Sequence, residues 1–172
     1  MAVFDCITTS RLKLRPLGSQ DANDYYQIVK SLRNRSSSRF GICKTPVSCA
    51  DFFNRNINNH SSEHDLFIAL EDLQCQELLG AIILSNHNDY YNVLNAFIRS
   101  SSSRKGFMTE AFVALIKQLK LKNPDAALEF YVDYHDDVTI KLVSAIARTS
   151  SLRYRCDLSR SIDAFHYHLL IG

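Results

Sequence analysis

The chain predicts an α/β (α+β) fold of about six or seven strands and four helices, and three observations carry that reading. Asn92 to Leu121 reads in succession as a strand, a polar turn and an amphipathic helix. Val93, Leu94, Phe97 and Ile98 supply the strand; Met108, Phe112, Leu115 and Leu119, spaced by three and four, share one helical face. Leu78 to Leu84 (LLGAIIL) is a continuous apolar run, as in a strand covered on both sides. ALEFYVDYHD, from Ala127, alternates Leu128, Phe130, Val132 and Tyr134 with Glu129, Tyr131, Asp133 and His135.

Composition narrows the class. A chain of 172 residues is expected to form one domain over 1–172, long enough to bury a core. Apolar residues make up 46% and charged residues 22%, ordinary soluble values. A net charge of +2 does not call for nucleic acid. No apolar run approaches membrane-spanning length, and MAVFDCITTSRLKL lacks the pattern of a secretory leader. Cys6, Cys43, Cys49, Cys75 and Cys156 are odd in number and dispersed, which suggests reduced thiols and a cytoplasmic protein. Only five glycines are present, which argues against a second, glycine-built phosphate loop.

In chain order, Arg11 to Leu17 (RLKLRPL) reads as a half-buried strand stopped by Pro16. Ser19 and Asp21 are caps for a helix marked by Tyr25, Ile28, Val29 and Leu32. Leu32 to Lys44 is a basic, serine-rich loop with Arg33, Arg35 and Arg39; without interleaved aromatics it reads as solvated surface rather than an RNA contact or a lid. Pro46 opens a second helix carrying Val47, Ala50, Phe52, Phe53 and Ile57, capped by Thr45 or Ser48. His60 and His64 are four apart, but two histidines do not make a zinc site, and no metal is expected. Asp65–Glu71 and Glu77–Ser85 read as strands joined by DLQCQ, and Asn86 to Asn92 as a polar turn holding His87 and Asp89. Asn123-Pro124-Asp125 ends the central helix, whose Lys117, Lys120 and Lys122 suit its negative end. Asp136 and Asp137 start a further helix with Val138, Leu142, Ala145 and Ile146 on one face. SLRYRCDL and AFHYHLLIG close the chain as a strand hairpin.

The turn between the central strand and helix is a candidate anion site. Ser100 to Ser103, Arg104, Lys105 and Gly106 occupy it. The opening turn of a helix leaves N–H groups unpaired and carries partial positive charge, a combination that suits phosphate. Two full positive charges stand beside it.

GFMTEA, Gly106 to Ala111, resembles the G-Y-A-T-E-A that opens the central helix of GCN5-related N-acetyltransferases (GNAT), in particular the ribosomal-protein N-terminal acetyltransferase branch. RLKLRPL resembles the opening strand of the same branch, and Val132 to Thr139 resembles its V-x-x-x-N-x-x-S junction, with Asp136 for Asn and Thr139 for Ser. The resemblance implies a mixed, mostly antiparallel sheet flanked by about four helices, with acetyl-CoA as co-substrate. In the family the turn reads Q/R-x-x-G-x-G/A. Here Ser101 stands for the first residue, Arg104 for the first glycine, and Gly106 matches the last position. A residue other than glycine fits at 104 if the backbone there need not have positive φ. The Gly-Phe that usually follows the last helix is replaced by Ala147-Arg148.

The resemblance further implies two central parallel strands that splay apart to admit pantetheine at Ile98, Arg99 and Ser100. The pyrophosphate falls to Arg104, Lys105, Gly106, Phe107 and Met108, and Asp136 and Thr139 complete the cofactor set. Acetyl transfer needs a neutral amine, an N–H donor for the oxyanion and help for the departing thiolate. A terminal amine, with pKa about 7.7–8.0, is partly neutral near pH 7, whereas lysine at about 10.4 needs a stronger base. Asp133 and His135 are candidate bases, and Thr139 or Tyr134 the hydroxyl for the thiolate. Asp136 and Thr139 read equally well as caps, and Glu110 as a carboxylate complementing the helix dipole. The expected activity is acetyl transfer to a primary amine, on a protein N-terminus or a small molecule, by a monomer or homodimer. The alternative is a GNAT-fold binding protein that has lost the cofactor loop.

Overall fold

Alternation along the strands sorts the apolar residues of one sheet onto two faces, and each face is covered by a pair of helices. The computed structural model describes residues 5–32, 45–58, 65–87, 90–133, 135–159 and 164–170. The Arg33–Arg39 loop, His60 and His64, Asp89 and the hydroxyl candidate Tyr134 lie outside the described residues.

The strands are β1 (Ile7–Thr8), β2 (Leu12–Pro16), β3 (Asp65–Asp72), β4 (Leu78–His87), β5 (Tyr90–Ile98), β6 (Ala127–Asp133), β7 (Tyr154–Ser159) and β8 (Ala164–Leu170). They form one sheet in the order β1-β2-β3-β4-β5-β6-β8-β7. The pairing of β5 with β6 is parallel and every other described pairing is antiparallel. The sheet is thus mixed and mostly antiparallel as expected, with eight strands rather than six or seven. The additional strand is β1, whose two residues are too short to show a period in sequence.

The helices are α1 (Ala22–Leu32), α2 (Pro46–Phe53), α3 (Phe107–Lys122) and α4 (Asp137–Thr149). Pro46 stands in the first turn of α2, where its missing N–H costs nothing, and the Thr45 hydroxyl accepts from the Ser48 N–H, 3.1 Å. Asp21 does not simply cap α1. Its carboxylate takes two bonds from the Arg15 guanidinium, 2.7 and 2.8 Å, and one from the Gly18 N–H, 2.9 Å. Arg15 also donates to Glu71, 2.6 Å. These contacts hold the guanidinium well above its usual pKa, the bond to Asp21 contributing most and outweighing the effect of burial.

One core lies under α3 and α4 and contains Phe112, Leu115, Leu119, Val143 and Ile146 against Leu128, Phe130, Tyr167 and Leu169. The other lies under α1 and α2 and contains Tyr25, Ile28, Phe52 and Phe53 against Ala69, Ala81 and Ile83. Strand β4 serves both: Leu79, Ile82 and Leu84 face the first, Leu78, Ala81 and Ile83 the second. This is why LLGAIIL shows no alternation in sequence.

Two expectations need correction. Asn86 to Asn92 is not a long polar turn: β4 continues through His87 and β5 begins at Tyr90, because Asn86–Tyr91 and His87–Tyr90 pair in the ladder. Val138 does not join the packed face of α4 and is 74% exposed. The helix spans Asp137–Thr149, as its acidic start implies, but turns Val143, Ile146 and Ala147 inward.

Candidate active site

The parallel pair opens part-way along its length. Register runs from Tyr90–Ala127 to Val93–Phe130 and stops there. Beyond that point Asn95 to Ile98 pair only with β4, and Tyr131 to Asp133 only with β8. The cause is local. The β4–β5 ladder shifts between Ile83 and Leu84, which leaves Leu94 as an extra residue on β5; such a bulge bends its strand. The facing edges of β5 and β6 therefore diverge with no ladder bonds across the gap.

Glycine makes the β4–β5 contact possible. A Cβ on Gly80 would stand 2.1 Å from the Phe97 carbonyl oxygen and 2.9 Å from the Ile98 Cα. The chain then leaves β5 through Arg99, whose N–H donates to the Leu79 carbonyl, 2.6 Å. The Arg99 guanidinium turns back along β4 to Glu77, 3.0 Å, and the Leu78 carbonyl, 3.1 Å. A short 3-10 turn, Ser100–Ser102, follows. Its Ser102 N–H donates to the Arg99 carbonyl, 2.9 Å, and the Ser103 hydroxyl to the Ser100 carbonyl, 2.8 Å.

Two left-handed residues complete the approach to α3: Arg104 at φ +62° and Gly106 at φ +81°. The first helical bond runs from the Glu110 N–H to the Gly106 carbonyl, 3.0 Å. The amides of Phe107, Met108 and Thr109 precede it and have no carbonyl to meet within the helix. Arg104 and Lys105 are exposed beside them.

Glu110 fixes this turn from behind. Its carboxylate accepts from the Thr9 hydroxyl, 2.6 Å, the Ser10 hydroxyl, 3.0 Å, and the Arg11 N–H, 3.1 Å. The Arg11 guanidinium donates to the same carboxylate, 2.7 Å, and to the Lys105 carbonyl, 3.0 Å, and lies 4.3 Å from the centre of the Phe107 ring. Burial alone would raise the Glu110 pKa; the bonds from Thr9, Arg11 and Ser10 outweigh it and hold the carboxyl below the usual range. Glu110 is thus structural, as expected. The reach of Arg11 to the turn was not legible, because nothing in a strand pattern marks a residue nearly a hundred positions from its partner.

At the end of β6, the exposed Asp133 carboxylate accepts from the His135 N–H, 2.8 Å. His135 is exposed as well. Asp136 caps α4: its carboxylate accepts from the Thr139 N–H, 3.0 Å, and from the Thr139 hydroxyl, 2.7 Å. Because β5 and β6 are parallel, Ile98 and Asp133 stand at the same edge of the sheet, and α3 and α4 both begin there. Among the described residues, the fold therefore brings the predicted ones to one edge of the sheet, except that Arg99 directs its side chain away along β4.

A family model described as the acetyltransferase (GNAT) domain matches residues 11–148. The chain belongs to the GNAT acetyltransferase family. That membership places it among the acyl-transferring enzymes. No curated protein matches the chain. Solved structures share the fold. One is an acetyltransferase from Salmonella typhimurium that modifies the N-terminal serine of ribosomal protein L7/L12, with TM-score 0.73, 13% identity, and 96% of this chain and 97% of that one covered. A second is a chimeric spermidine N-acetyltransferase containing Vibrio cholerae sequence, with TM-score 0.72, 14% identity, and coverages of 94% and 96%. A third is an N-acetyltransferase from Thermoplasma acidophilum in complex with coenzyme A, with TM-score 0.67, 12% identity, and coverages of 92% and 98%.

Within this GNAT chain, the departure at Arg104 proves to be one of side chain and not of backbone. The condition that position 104 avoid positive φ is overturned: Arg104 adopts the left-handed region without glycine. For an L-residue this costs roughly 1–2 kcal/mol. The surrounding bonds from Ser103, Arg11 and Glu110 are what oblige it.

Proposed function

We propose that this GNAT chain moves an acetyl group from acetyl-CoA to a primary amine, carried by a protein N-terminus or a small amine. The observation that supports the reading best is the turn Arg104–Gly106, which keeps two left-handed residues and free helix-start amides despite losing a glycine. The fit to a diphosphate rests on donor chemistry: consecutive N–H groups at a helix N-terminus, with Arg104 and Lys105 adding charge.

In this reading the backbone of Ile98, Arg99 and Ser100 meets the pantetheine arm along the open edge of β5. Arg104, Lys105, Gly106, Phe107 and Met108 hold the diphosphate. Acetyl-CoA supplies the acetyl group already activated as a thioester. Asp133 or His135 accepts a proton from the acceptor ammonium, directly or through water. Both are exposed at the mouth of the gap, so each can exchange protons with solvent. The Thr139 hydroxyl proton is engaged by Asp136, so Thr139 reaches a departing thiolate as a donor only after turning away from that carboxylate. Asp136 then serves as the anchor that orients it. Tyr134 is the other hydroxyl candidate.

Titration of coenzyme A during thermal unfolding tests the cofactor site. At a hundredfold excess over the dissociation constant, the ligand should stabilise the fold by about 2.7 kcal/mol. Arg104→Glu with Lys105→Glu should weaken binding while leaving the unliganded melting temperature nearly unchanged. Equal affinity in the double variant would remove the diphosphate assignment. Acetylation of a peptide N-terminus against a polyamine, each with acetyl-CoA, separates the two acceptor classes.

A further inference from the structure

On the sheet face away from α3 and α4, strands β6 and β8 bring together three groups that acyl transfer does not use. Glu129 of β6 stands directly opposite His168 of β8, and Tyr131 opposite His166. Alternation places all four on the face opposite Leu128, Phe130, Tyr167 and Leu169, which are buried under α3 and α4. The core beneath α1 and α2 draws on β3, β4 and β5 and includes no described residue of β6, β7 or β8. This part of the face is therefore not packed into either described core.

One carboxylate oxygen of Glu129 and one ring nitrogen of each histidine lie within 4.8 Å of one another. His168 Nδ1 is 2.9 Å from Glu129 Oε1. His166 Nε2 is 3.5 Å from Glu129 Oε2, yet it is buried and has no hydrogen-bond partner among the described residues. The Tyr131 ring, stacked on His166 at 4.4 Å and 3° between planes, holds that imidazole edge toward the carboxylate. Glu129 is itself buried, and among the described residues no Lys or Arg pairs with it. Arg155, on neighbouring β7, is committed to Asp157, 2.7 Å.

A buried carboxylate without a fixed cation, beside a buried ring nitrogen without a partner, is a site short of one positive charge and one bond. The geometry points to a divalent transition-metal site of the zinc class, held by Glu129, His166 and His168 with a fourth position open. Bonds of about 2.0–2.2 Å around a tetrahedral ion put neighbouring donors roughly 3.3–3.5 Å apart, which the His166–Glu129 separation already matches. Imidazole with a single carboxylate favours zinc, nickel or copper over magnesium or calcium, which take oxygen cages. Binding would replace the His168–Glu129 hydrogen bond by two bonds to the ion and give His166 its missing partner. The proposal needs nothing from the acetyl-transfer reading. Both histidines lie on β8, beyond the span matched by the family model, whereas Glu129 on β6 lies within it.

The test uses the full chain stripped of metal with a chelator, then titrated calorimetrically with zinc chloride, magnesium chloride and calcium chloride. One equivalent of zinc should bind, with no response to magnesium or calcium. His166→Ala, His168→Ala and the shape-preserving Glu129→Gln should each weaken zinc binding by more than the roughly 10–100-fold typical of losing an outer-shell partner. Cobalt substitution should give the visible bands of a tetrahedral nitrogen–oxygen site without a thiolate band. Absence of stoichiometric zinc binding overturns the assignment. So does binding that survives in all three variants, or a cobalt–thiolate band, either of which would move the ion to the exposed Cys6, Cys75 or Cys156.

Discussion

Substituting Gly80 by alanine strikes the strand contact that shapes the opening between β5 and β6. The new Cβ would meet the Phe97 carbonyl oxygen at 2.1 Å and the Ile98 Cα at 2.9 Å, where ordinary contact begins at 3.4 Å. Both atoms are backbone, so no rotamer change relieves the overlap, and β5 must retreat from β4 by more than an ångström. Overpacking of this kind costs about 1–3 kcal/mol. The retreat also stretches the neighbouring Arg99 N–H bond to the Leu79 carbonyl, now 2.6 Å, at about 1 kcal/mol. A total near 3 kcal/mol should lower the melting temperature of a chain this size by about 6–12 °C. Gly18 supplies the control. A Cβ there would meet atoms at 2.4–2.8 Å, but all belong to the mobile Gln20 side chain, and Gly18 has an extended backbone that alanine also adopts. Gly18→Ala should stay within about 0.5 kcal/mol of the parent. Thermal or urea unfolding of the two variants reads the difference. Equal melting temperatures would refute the argument that backbone proximity, rather than nominal overlap, decides the cost.

Other perturbations follow from the same geometry. Arg104→Gly should relieve about 1 kcal/mol of left-handed strain, offset in part by unfolded-chain entropy, whereas Gly106→Ala should cost about 1–2 kcal/mol at φ +81° although its Cβ has room; the opposite order in urea melts would contradict the backbone assignment. Asp136→Ala should cost about 1 kcal/mol by removing the α4 cap, and an unchanged unfolding midpoint would show that Thr139 needs no anchor. Glu110→Gln should be destabilising at neutral pH by about 1–2 kcal/mol, with the exposed half of Arg11 limiting the loss. The Glu110 carboxyl is held below its ordinary pKa when folded, so its contribution is complete above the unfolded value and disappears as pH falls through the lowered folded one. The Gln variant should therefore lose less stability than the parent on acidification, and parallel pH curves would sink the idea.

Much of the architecture was legible because periodicity is a local property. Phe112, Leu115 and Leu119 declared the buried face of α3, Leu128, Phe130 and Val132 that of β6, and both are buried as read. Pro46 and Thr45 marked a helix start whose hydrogen bonds are present. The turn between β5 and α3 was legible for the same reason, since a strand, four serines, two basic residues and a helix follow one another along the chain. Short elements and ends were not: β1 has too few residues for a period, and Val138 lies within a turn of the start of α4, where one residue of phase turns a side chain from core to solvent.

By itself, then, the sequence determined which residues are apolar, at what period, and where the chain must turn, and with that the family and the place of the turn before the central helix. Tertiary structure decided whatever depends on partners distant along the chain: the Arg11–Glu110 latch, the left-handed Arg104 it helps impose, the parting of β5 from β6 after Val93, and the meeting of Glu129 with His166 and His168. The two histidines of H-x-H share a strand face by alternation alone. That a buried carboxylate faces them is fixed by the β6–β8 register, which exists only once the two strands have paired.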